Sequence, residues 1–171
     1  MHTPLVPVAP TPPTTNPSSF DVKFISQAVR QAELGAEEGG IPIGAALIKE
    51  DGSVISLGRN RRVQWGSAIR HGETDCLENA GRLPPDVYRQ STMFTTLSPC
   101  PMCAGAIILY GIKRVVIGEN STFVGGEDIL ASRGVEVVNL DLPHCKELMQ
   151  DFIAKKPLDW DEDIGEIRDQ S

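Results

Sequence analysis

The sequence predicts a single-domain α/β sandwich in which helices and strands alternate along the chain. The length of 171 residues suits one domain with a sizeable core. The composition, 40% hydrophobic and 23% charged, is ordinary for a globular protein. Short apolar runs bounded by turn residues alternate with segments of helical periodicity, and this alternation is typical of α/β folds.

The first 17 residues stand apart from this pattern. They are rich in proline and threonine and almost uncharged, a composition that cannot bury a core. We therefore predict a disordered tail over residues 1–17 and one domain over residues 18–171. Four cysteines without a recognisable signal peptide indicate a reducing compartment, so we expect a cytoplasmic protein, with the nucleus as a second location. No apolar run approaches the roughly 18 residues of a membrane span.

Within the domain, each predicted element has a local signal. Ser18 or Ser19 can cap a helix that ends before a Gly-Gly pair. Strands at 43–48 and 54–58 flank Asp51-Gly52, which is a hairpin turn signal. The helix at 101–110 has proline at its first position and is apolar almost all round, which is typical of a core or a subunit interface. The other predicted elements are a helix at 71–80, strands at 92–97, 113–118 and 135–140, helices at 128–132 and 143–154, and loops around 64–66 and 83–85.

Two short motifs carry metal chemistry. His71-Gly72-Glu73 supplies an imidazole and a carboxylate, while Cys100 and Cys103 supply two thiols in a Cys-x-x-Cys pair. One imidazole and two thiolates form a donor set that suits Zn²⁺. Each motif lies at a predicted helix start, where the helix dipole favours the thiolate form. A structural zinc normally has four protein ligands, so three ligands predict one catalytic Zn²⁺ per chain, with a position left for water.

The remaining cysteines and histidines are weaker candidates for ligation. Cys76 and Cys145 are expected to be buried in helices, since free cysteine is among the most buried residue types. His144 is expected on the surface, and His2 lies in the predicted tail. A redox dithiol and a structural zinc are alternatives for the Cys-x-x-Cys pair, but neither uses an upstream His-x-Glu.

The order His-x-Glu and then Pro-Cys-x-x-Cys is the signature of zinc deaminases. In such chemistry zinc activates a water that attacks a ring carbon bearing an amino group, and the amine leaves only after protonation. Glu73, two residues from His71, is placed to carry these protons. The net charge of −7 argues against a general nucleic-acid binder. A local basic stretch is interpreted as a solvated loop rather than a phosphate site, and it consists of Arg59, Arg61, Arg62 and Arg70.

Beyond these motifs, the chain from about Phe20 to Glu166 resembles the fungal cytosine deaminases, a family within the cytidine and deoxycytidylate deaminase superfamily. The resemblance is carried by segments at 39–44, 66–68, 71–73, 77–79, 95–100, 105–108, 110–112, 118–120, 159–160 and 162–166. It implies a three-layer α-β-α sandwich around a five-stranded mixed sheet, and a homodimer that would cover the apolar helix at 101–110. Pro101 and Asp161 depart from the family pattern, which has an acidic and an aromatic residue at these positions.

The resemblance also implies roles for individual residues. His71, Cys100 and Cys103 match the zinc ligands, and Glu73 matches the proton shuttle. The matches to substrate-binding positions are Asn60, which would read the pyrimidine edge, the backbone N–H of Gly72, Asp163 near the amino group, and Phe123 and Trp160, which would close the pocket. From the residues alone, Asn60 would be interpreted as a turn residue and Asp163 as one charge in an acidic tail.

The implied activity is the hydrolysis of the free base cytosine to uracil and ammonia, in pyrimidine salvage, with 5-fluorocytosine as a further substrate. Deamination of another free base such as guanine is an alternative, because the Cys-x-x-Cys region also resembles purine deaminases. A tRNA- or DNA-editing deaminase is a second alternative, which the acidic net charge disfavours. A zinc scaffold without catalysis would have no use for Glu73. We expect a small-molecule base and a second copy of the chain as partners, and neither nucleic acid nor a membrane.

Overall fold

The computed structural model describes residues 16–167, in which five strands form one sheet. The strands are β1 (Gly44–Lys49), β2 (Val54–Arg59), β3 (Ser91–Leu97), β4 (Arg114–Glu119) and β5 (Glu136–Asn139). The helices are α1 (Ser19–Glu37), α2 (Arg62–Trp65), α3 (Gly72–Ala80), α4 (Pro85–Arg89), α5 (Pro101–Tyr110), α6 (Glu127–Ser132), α7 (Pro143–Lys155) and α8 (Pro157–Ile164). The disordered tail predicted for 1–17 lies outside the described residues except for its last two, and it stays a prediction.

The sheet is mixed, as predicted, with the strand order β2-β1-β3-β4-β5. β1 pairs antiparallel with both β2 and β3, whereas β4 and β5 run parallel to β3. The first residue of β1, Gly44, therefore lies at the same sheet edge as the carboxyl ends of the other four strands. In sheets of this kind, ligands bind at the carboxyl ends of the parallel strands. This edge is where the predicted site residues come together.

Helices cover both faces of the sheet, which confirms the three-layer arrangement. On β1, Ala45 and Leu47 join a buried apolar cluster that receives side chains from α3, α4, α5 and α6. Ala46 and Ile48 face the opposite way and pack against α1. This alternation is the two-residue period of a strand buried on both faces. A third cluster joins α7 and α8 to the sheet edge, and it contains Ile43, Leu97, Met149, Phe152 and Trp160.

The N-terminus of α1 follows the predicted capping pattern. The Ser18 hydroxyl accepts a hydrogen bond from the Asp21 N–H at 3.1 Å, and the Asp21 carboxylate accepts one from the Ser18 N–H at 3.0 Å. This reciprocal pair satisfies two backbone donors that the helix leaves without partners. Asp21 is also buried against Arg114 of β4, which donates to it at 2.9 Å. One carboxylate thus caps α1 and fixes it to the sheet.

Three short helices correct the sequence-based assignment. The segment predicted as a polar loop around 64–66 contains α2, and the segment around 83–85 leads directly into α4. The C-terminal acidic segment, for which no helix was predicted, forms α8. These helices have four, five and eight residues, so local periodicity is too short to reveal them. Within the described residues, no helix is long and apolar enough to cross a membrane.

Candidate active site

Two helix starts converge at the sheet edge and carry the predicted metal ligands. His71 is the N-cap residue of α3, and Cys100 is the N-cap residue of α5 with Cys103 in the first turn. The ligand atoms of His71, Cys100 and Cys103 all lie within 4.8 Å of one another. The Nδ1 atom of His71 is 3.5 Å from the Cys100 sulfur, so Nδ1 is the ring nitrogen that faces the thiols. This is the arrangement that the two motifs predicted.

The donor set fits zinc with one coordination position left open. Within residues 16–167, no fourth His, Cys, Asp or Glu joins this group. Cys76 is buried and hydrogen-bonds Ser56, and Cys145 is buried elsewhere, both as predicted. His144 pairs with Glu33 on the surface, and His2 lies outside the described residues. One imidazole and two thiolates are the ligands that Zn²⁺ prefers, and three protein ligands are typical of a catalytic site.

The electrostatics of the donor set favour metal binding. A hydrogen bond from Cys103, opposed by burial and assisted by His71, lowers the pKa of Cys100 to about 4. The hydrogen bond with Cys100 and burial raise the pKa of Cys103, so Cys100 carries the negative charge of the pair. Burial lowers the pKa of His71, but Cys100 and Asp163 outweigh it and raise the value to about 9. Zinc needs a neutral imidazole and two thiolates, so its binding releases protons from His71 and Cys103.

Glu73 is a buried carboxyl group beside the donor set. Its side chain is 3% exposed, and Thr95 of β3 donates a hydrogen bond to its Oε1 atom at 2.9 Å. Burial, assisted by the charge of Cys100, raises the pKa of Glu73 above its ordinary value. A carboxyl group whose pKa is raised toward neutrality can both accept and donate a proton, as a general acid–base group must.

A second carboxylate, that of Asp163, lies beside the outer ring nitrogen of His71. Asp163 of α8 lies 3.3 Å from the Nε2 atom of His71. Both Asp163 oxygens accept hydrogen bonds from the Asn60 amide at 3.0 Å, and Oδ1 also accepts one from Arg62 Nε at 3.0 Å. A carboxylate on the outer nitrogen of a ligating histidine fixes the ring orientation and raises its basicity. The C-terminal helix therefore supports the metal site directly.

These groups open onto a small pocket of about 290 Å³. That volume includes open solvent at the mouth of the pocket. Phe123 and Trp160 meet edge to face on one side of the pocket, with ring centroids 6.0 Å apart. The side chains that line the pocket are Ile43, His71, Glu73, Leu97, Ser98, Cys100, Phe123, Trp160, Asp163 and Ile164.

Comparison with known proteins decides the family. Residues 18–119 match the cytidine and deoxycytidylate deaminase zinc-binding region. The chain belongs to this deaminase family. Zinc is therefore the metal of this protein, and within residues 16–167 His71, Cys100 and Cys103 form the group that could hold it.

Relatives of this deaminase chain include enzymes of several substrate classes. It is 56% identical to cytosine deaminase of Candida albicans over 146 residues, which cover 85% of this chain and 97% of that protein. It is 36% identical to a tRNA-specific adenosine deaminase of Streptococcus pyogenes over 109 residues, covering 63% of this chain and 67% of that one. A guanine deaminase structure from Nitrosomonas europaea superposes with a TM-score of 0.65 at 22% identity, covering 84% of this chain and 88% of that one. The last likeness concerns the fold alone.

The structure of this family member places the predicted substrate residues at or behind the pocket. Phe123, Trp160 and Asp163 line it. Gly72 is the first residue of α3, so its N–H is one of the donors that a helix leaves without an intrahelical acceptor. Asn60 is fully buried, and its amide is engaged by Asp163 and by the Arg62 N–H. Substrate contacts by these residues stay predictions.

Sequence reasoning missed two residues of the site and misjudged the basic stretch. Thr95 holds Glu73, and no sequence signal distinguished it from the other hydroxyl residues of β3, which are Ser91, Thr92 and Thr96. The four arginines were predicted to form a solvated loop, and this was wrong, because each side chain forms an ion pair. The carboxylate partners are Glu38 for Arg59, Asp75 for Arg61 and Arg70, and Asp163 for Arg62. Arg62 pairs with Asp163, which places it beside the metal site. Such pairings depend on residues distant in sequence.

Proposed function

We propose that this protein catalyses the zinc-dependent hydrolysis of cytosine to uracil and ammonia. The observation that carries the reaction type is the buried Glu73 carboxyl group beside a three-donor zinc site with an open position. The choice of cytosine is supported by the Candida albicans relative, which is a cytosine deaminase. The match to this chain covers nearly the whole length of that relative. It is also supported by the small volume of the pocket.

Zinc held by His71, Cys100 and Cys103 would supply a water of lowered pKa as the nucleophile. Glu73 would take a proton from the attacking water as the new C–O bond forms at the ring carbon bearing the amino group. It passes this proton to the neighbouring ring nitrogen, and it carries the second proton of the water to the amino group. The C–N bond then breaks, ammonia leaves, and uracil remains. Thr95 fixes Oε1 of Glu73, so the carboxyl group keeps one orientation during both transfers.

The proposed substrate contacts use the polar groups around the pocket. Asp163, which can only accept hydrogen bonds when ionised, suits the substrate amino group. Asn60 can donate and accept, and the Gly72 N–H can donate, which suits the mixed edge of a pyrimidine. Phe123 and Trp160 would hold the ring by apolar contact. The same chemistry would apply to 5-fluorocytosine, which keeps the amino-bearing carbon.

Two alternatives have weaker support. Guanine deamination rests on fold likeness at 22% identity, which does not identify a substrate. An editing deaminase must admit a nucleotide flipped out of a nucleic acid, which needs an open site and a basic path. In this chain α8 lines the pocket, and the arginines near it are paired with carboxylates.

Substrate size gives a direct test of the proposal. Cytosine should be deaminated, and cytidine should have a kcat/KM at least about 100-fold lower, because Trp160 and Phe123 occupy the space that a ribose would need. The measurement is ammonia release or the loss of substrate absorbance at several substrate concentrations. Comparable kcat/KM values for the base and the nucleoside would contradict a pocket closed by α8.

Asn60 and Asp163 give a second test. Asn60→Ala and Asp163→Ala should each lower kcat/KM by about 30-fold, equivalent to about 2 kcal/mol for buried groups left without partners. Asn60→Ala should keep its zinc, whereas Asp163→Ala should weaken zinc binding by roughly 10–100-fold, because Asp163 contacts His71. Glu162→Ala, an exposed neighbour on α8, is the matched control. Kinetics like those of the unaltered protein in both Asn60 and Asp163 variants would remove the basis for the substrate assignment.

We further propose a cytoplasmic homodimer that acts in pyrimidine salvage. The cysteines are free thiols, as expected in a reducing compartment. Ile69 and Tyr110 are 62% and 43% exposed and line a groove between α3 and α5, and the adjacent Leu109 of α5 is 75% exposed. A second copy of the chain would cover this apolar surface.

Sedimentation equilibrium should give twice the chain mass, and Leu109→Glu should weaken association. A monomer at micromolar concentration would contradict the dimer.

A further inference from the structure

Glu119 is a buried carboxylate to which the proposed reaction assigns no role. It is the last residue of β4, belongs to the Gly118-Glu119-Asn120 segment, and has no exposed surface. Glutamate is almost never fully buried unless it is paired or hydrogen-bonded. The side chain lies at the sheet edge that carries the pocket, so its hydrogen-bond partners indicate what it does there.

The Glu119 carboxylate accepts hydrogen bonds from the turn that follows β4. The Oε2 atom of Glu119 accepts hydrogen bonds from the Ser121 N–H at 2.7 Å, the Ser121 hydroxyl at 2.9 Å and the Thr122 N–H at 2.9 Å. The next residue in the chain is Phe123, which lines the pocket. The carboxylate therefore fixes the backbone immediately before a pocket wall.

The far end of the same loop is fixed to the segment that leads into the zinc ligands. The Gly125 N–H donates to the Ser98 hydroxyl at 3.1 Å, and the Gly126 N–H donates to the Pro99 carbonyl at 2.6 Å. A Cβ atom at Gly125 would collide with the Pro99 carbonyl oxygen, so glycine permits this close approach. The Ser98 N–H in turn donates to the Glu119 carbonyl at 3.0 Å. Phe123 thus lies in a short loop held at both ends.

We propose that Glu119 is a positioning residue that sets the width of the pocket through Phe123. The carboxylate holds the turn at 121–122, the turn holds Phe123 against Trp160, and this aromatic pair limits the space beside the substrate ring. Glu119 thereby favours a free base over its nucleoside. This inference rests on the proposed cytosine deaminase activity and adds a specificity-determining residue to it.

Two substitutions at Glu119 separate its hydrogen bonds from its volume. Glu119→Leu removes the acceptor, and we expect a rise of about tenfold or more in KM for cytosine with a smaller change in kcat, and a higher cytidine-to-cytosine ratio of kcat/KM. Glu119→Gln keeps a carbonyl oxygen that can accept the same bonds, so its values should stay within about threefold of the unaltered protein. Asp21→Asn, at a buried carboxylate on α1, is the matched control and should leave the substrate ratio unchanged.

A double-mutant cycle tests whether Glu119 acts through Phe123. Glu119→Leu should lower kcat/KM much less in a Phe123→Ala background than in the unaltered protein. The reason is that the Phe123 side chain, which Glu119 positions, is already absent from that background. Additive effects, a Gln variant as impaired as the Leu variant, or an unchanged substrate ratio in Glu119→Leu would each overturn the proposal.

Two further measurements keep the test independent of folding and of the proposed activity. If Glu119→Leu does not fold, Ser121→Ala replaces it, since Ser121 is exposed and loses only the hydroxyl bond; KM for cytosine should then rise by about twofold. In a Trp65→Phe background, which leaves Trp160 as the single tryptophan, acrylamide quenching should increase in Glu119→Leu and not in Glu119→Gln. Unchanged quenching would overturn the positioning role, whereas a lack of cytosine turnover in the unaltered protein would overturn the proposed function instead.

Discussion

Glu73→Gln is expected to bind one zinc per chain and to fold normally, yet to lose nearly all turnover of cytosine. An amide has the size of the carboxyl group and can still accept the Thr95 hydrogen bond, but it cannot take a proton from water and pass it to the base. The loss should appear in kcat, by at least the roughly 10²–10⁴-fold that general acid–base groups contribute. Steady-state kinetics, zinc analysis and thermal unfolding on the same preparation give the three quantities.

The matched control for this prediction is Glu78→Gln. Glu78 lies on the same helix, but its side chain is 68% exposed and points away from the donor set toward Arg70. Its substitution should change kcat by less than about twofold, as expected for a surface position. A Glu73→Gln protein that retains near-normal kcat would refute the proton-transfer role. Loss of zinc in that variant would mean instead that Glu73 is a ligand.

The second large effect is expected on removal of a metal ligand. His71→Ala and Cys100→Ser should each reduce the zinc content well below one per chain and abolish activity, because two protein ligands cannot hold a catalytic zinc tightly. Folding should suffer as well. Zinc at several hundred times its Kd stabilises the folded state by about 3–4 kcal/mol. For a domain of this size, its loss should lower Tm by roughly 6–16 °C.

Cys145→Ala is the control that removes a cysteine outside the donor set. Cys145 is buried but remote from the donor set, so this variant should keep one zinc and its activity. Metal analysis after dialysis against a chelator, followed by thermal unfolding with and without added zinc, provides the measurement. Full zinc occupancy in both ligand variants would show that the ion is held by other residues.

The metal site could be predicted from the sequence because each of its parts is local. His71-Gly72-Glu73 and the Cys-x-x-Cys pair each begin a helix, and the first turn of a helix fixes their spacing. Strand alternation and the turn signals likewise gave all five strands to within one or two residues. These are short-range patterns, and they do not depend on where the helices pack.

The supporting groups could not be predicted because they come from distant parts of the chain. Asn60 meets Asp163 across 103 residues, and Thr95 meets Glu73 across 22. Resemblance to known deaminases pointed to Asn60 and Asp163, but not to the contact between Asp163 and His71. Arg62 carried no signal at all, since an arginine in a polar loop is usually solvated. Contacts of this kind can be predicted only when the sheet topology is already known.

The proposed deamination of cytosine can be tested by measuring ammonia release from free bases. The zinc-loaded protein is incubated separately with cytosine and guanine at equal concentrations, and Glu73→Gln serves as the blank for each base. We expect cytosine to release ammonia and to yield uracil in equal amounts, and guanine to release no ammonia above the blank. Faster release from guanine, or no release from cytosine by protein that carries one zinc per chain, would contradict it.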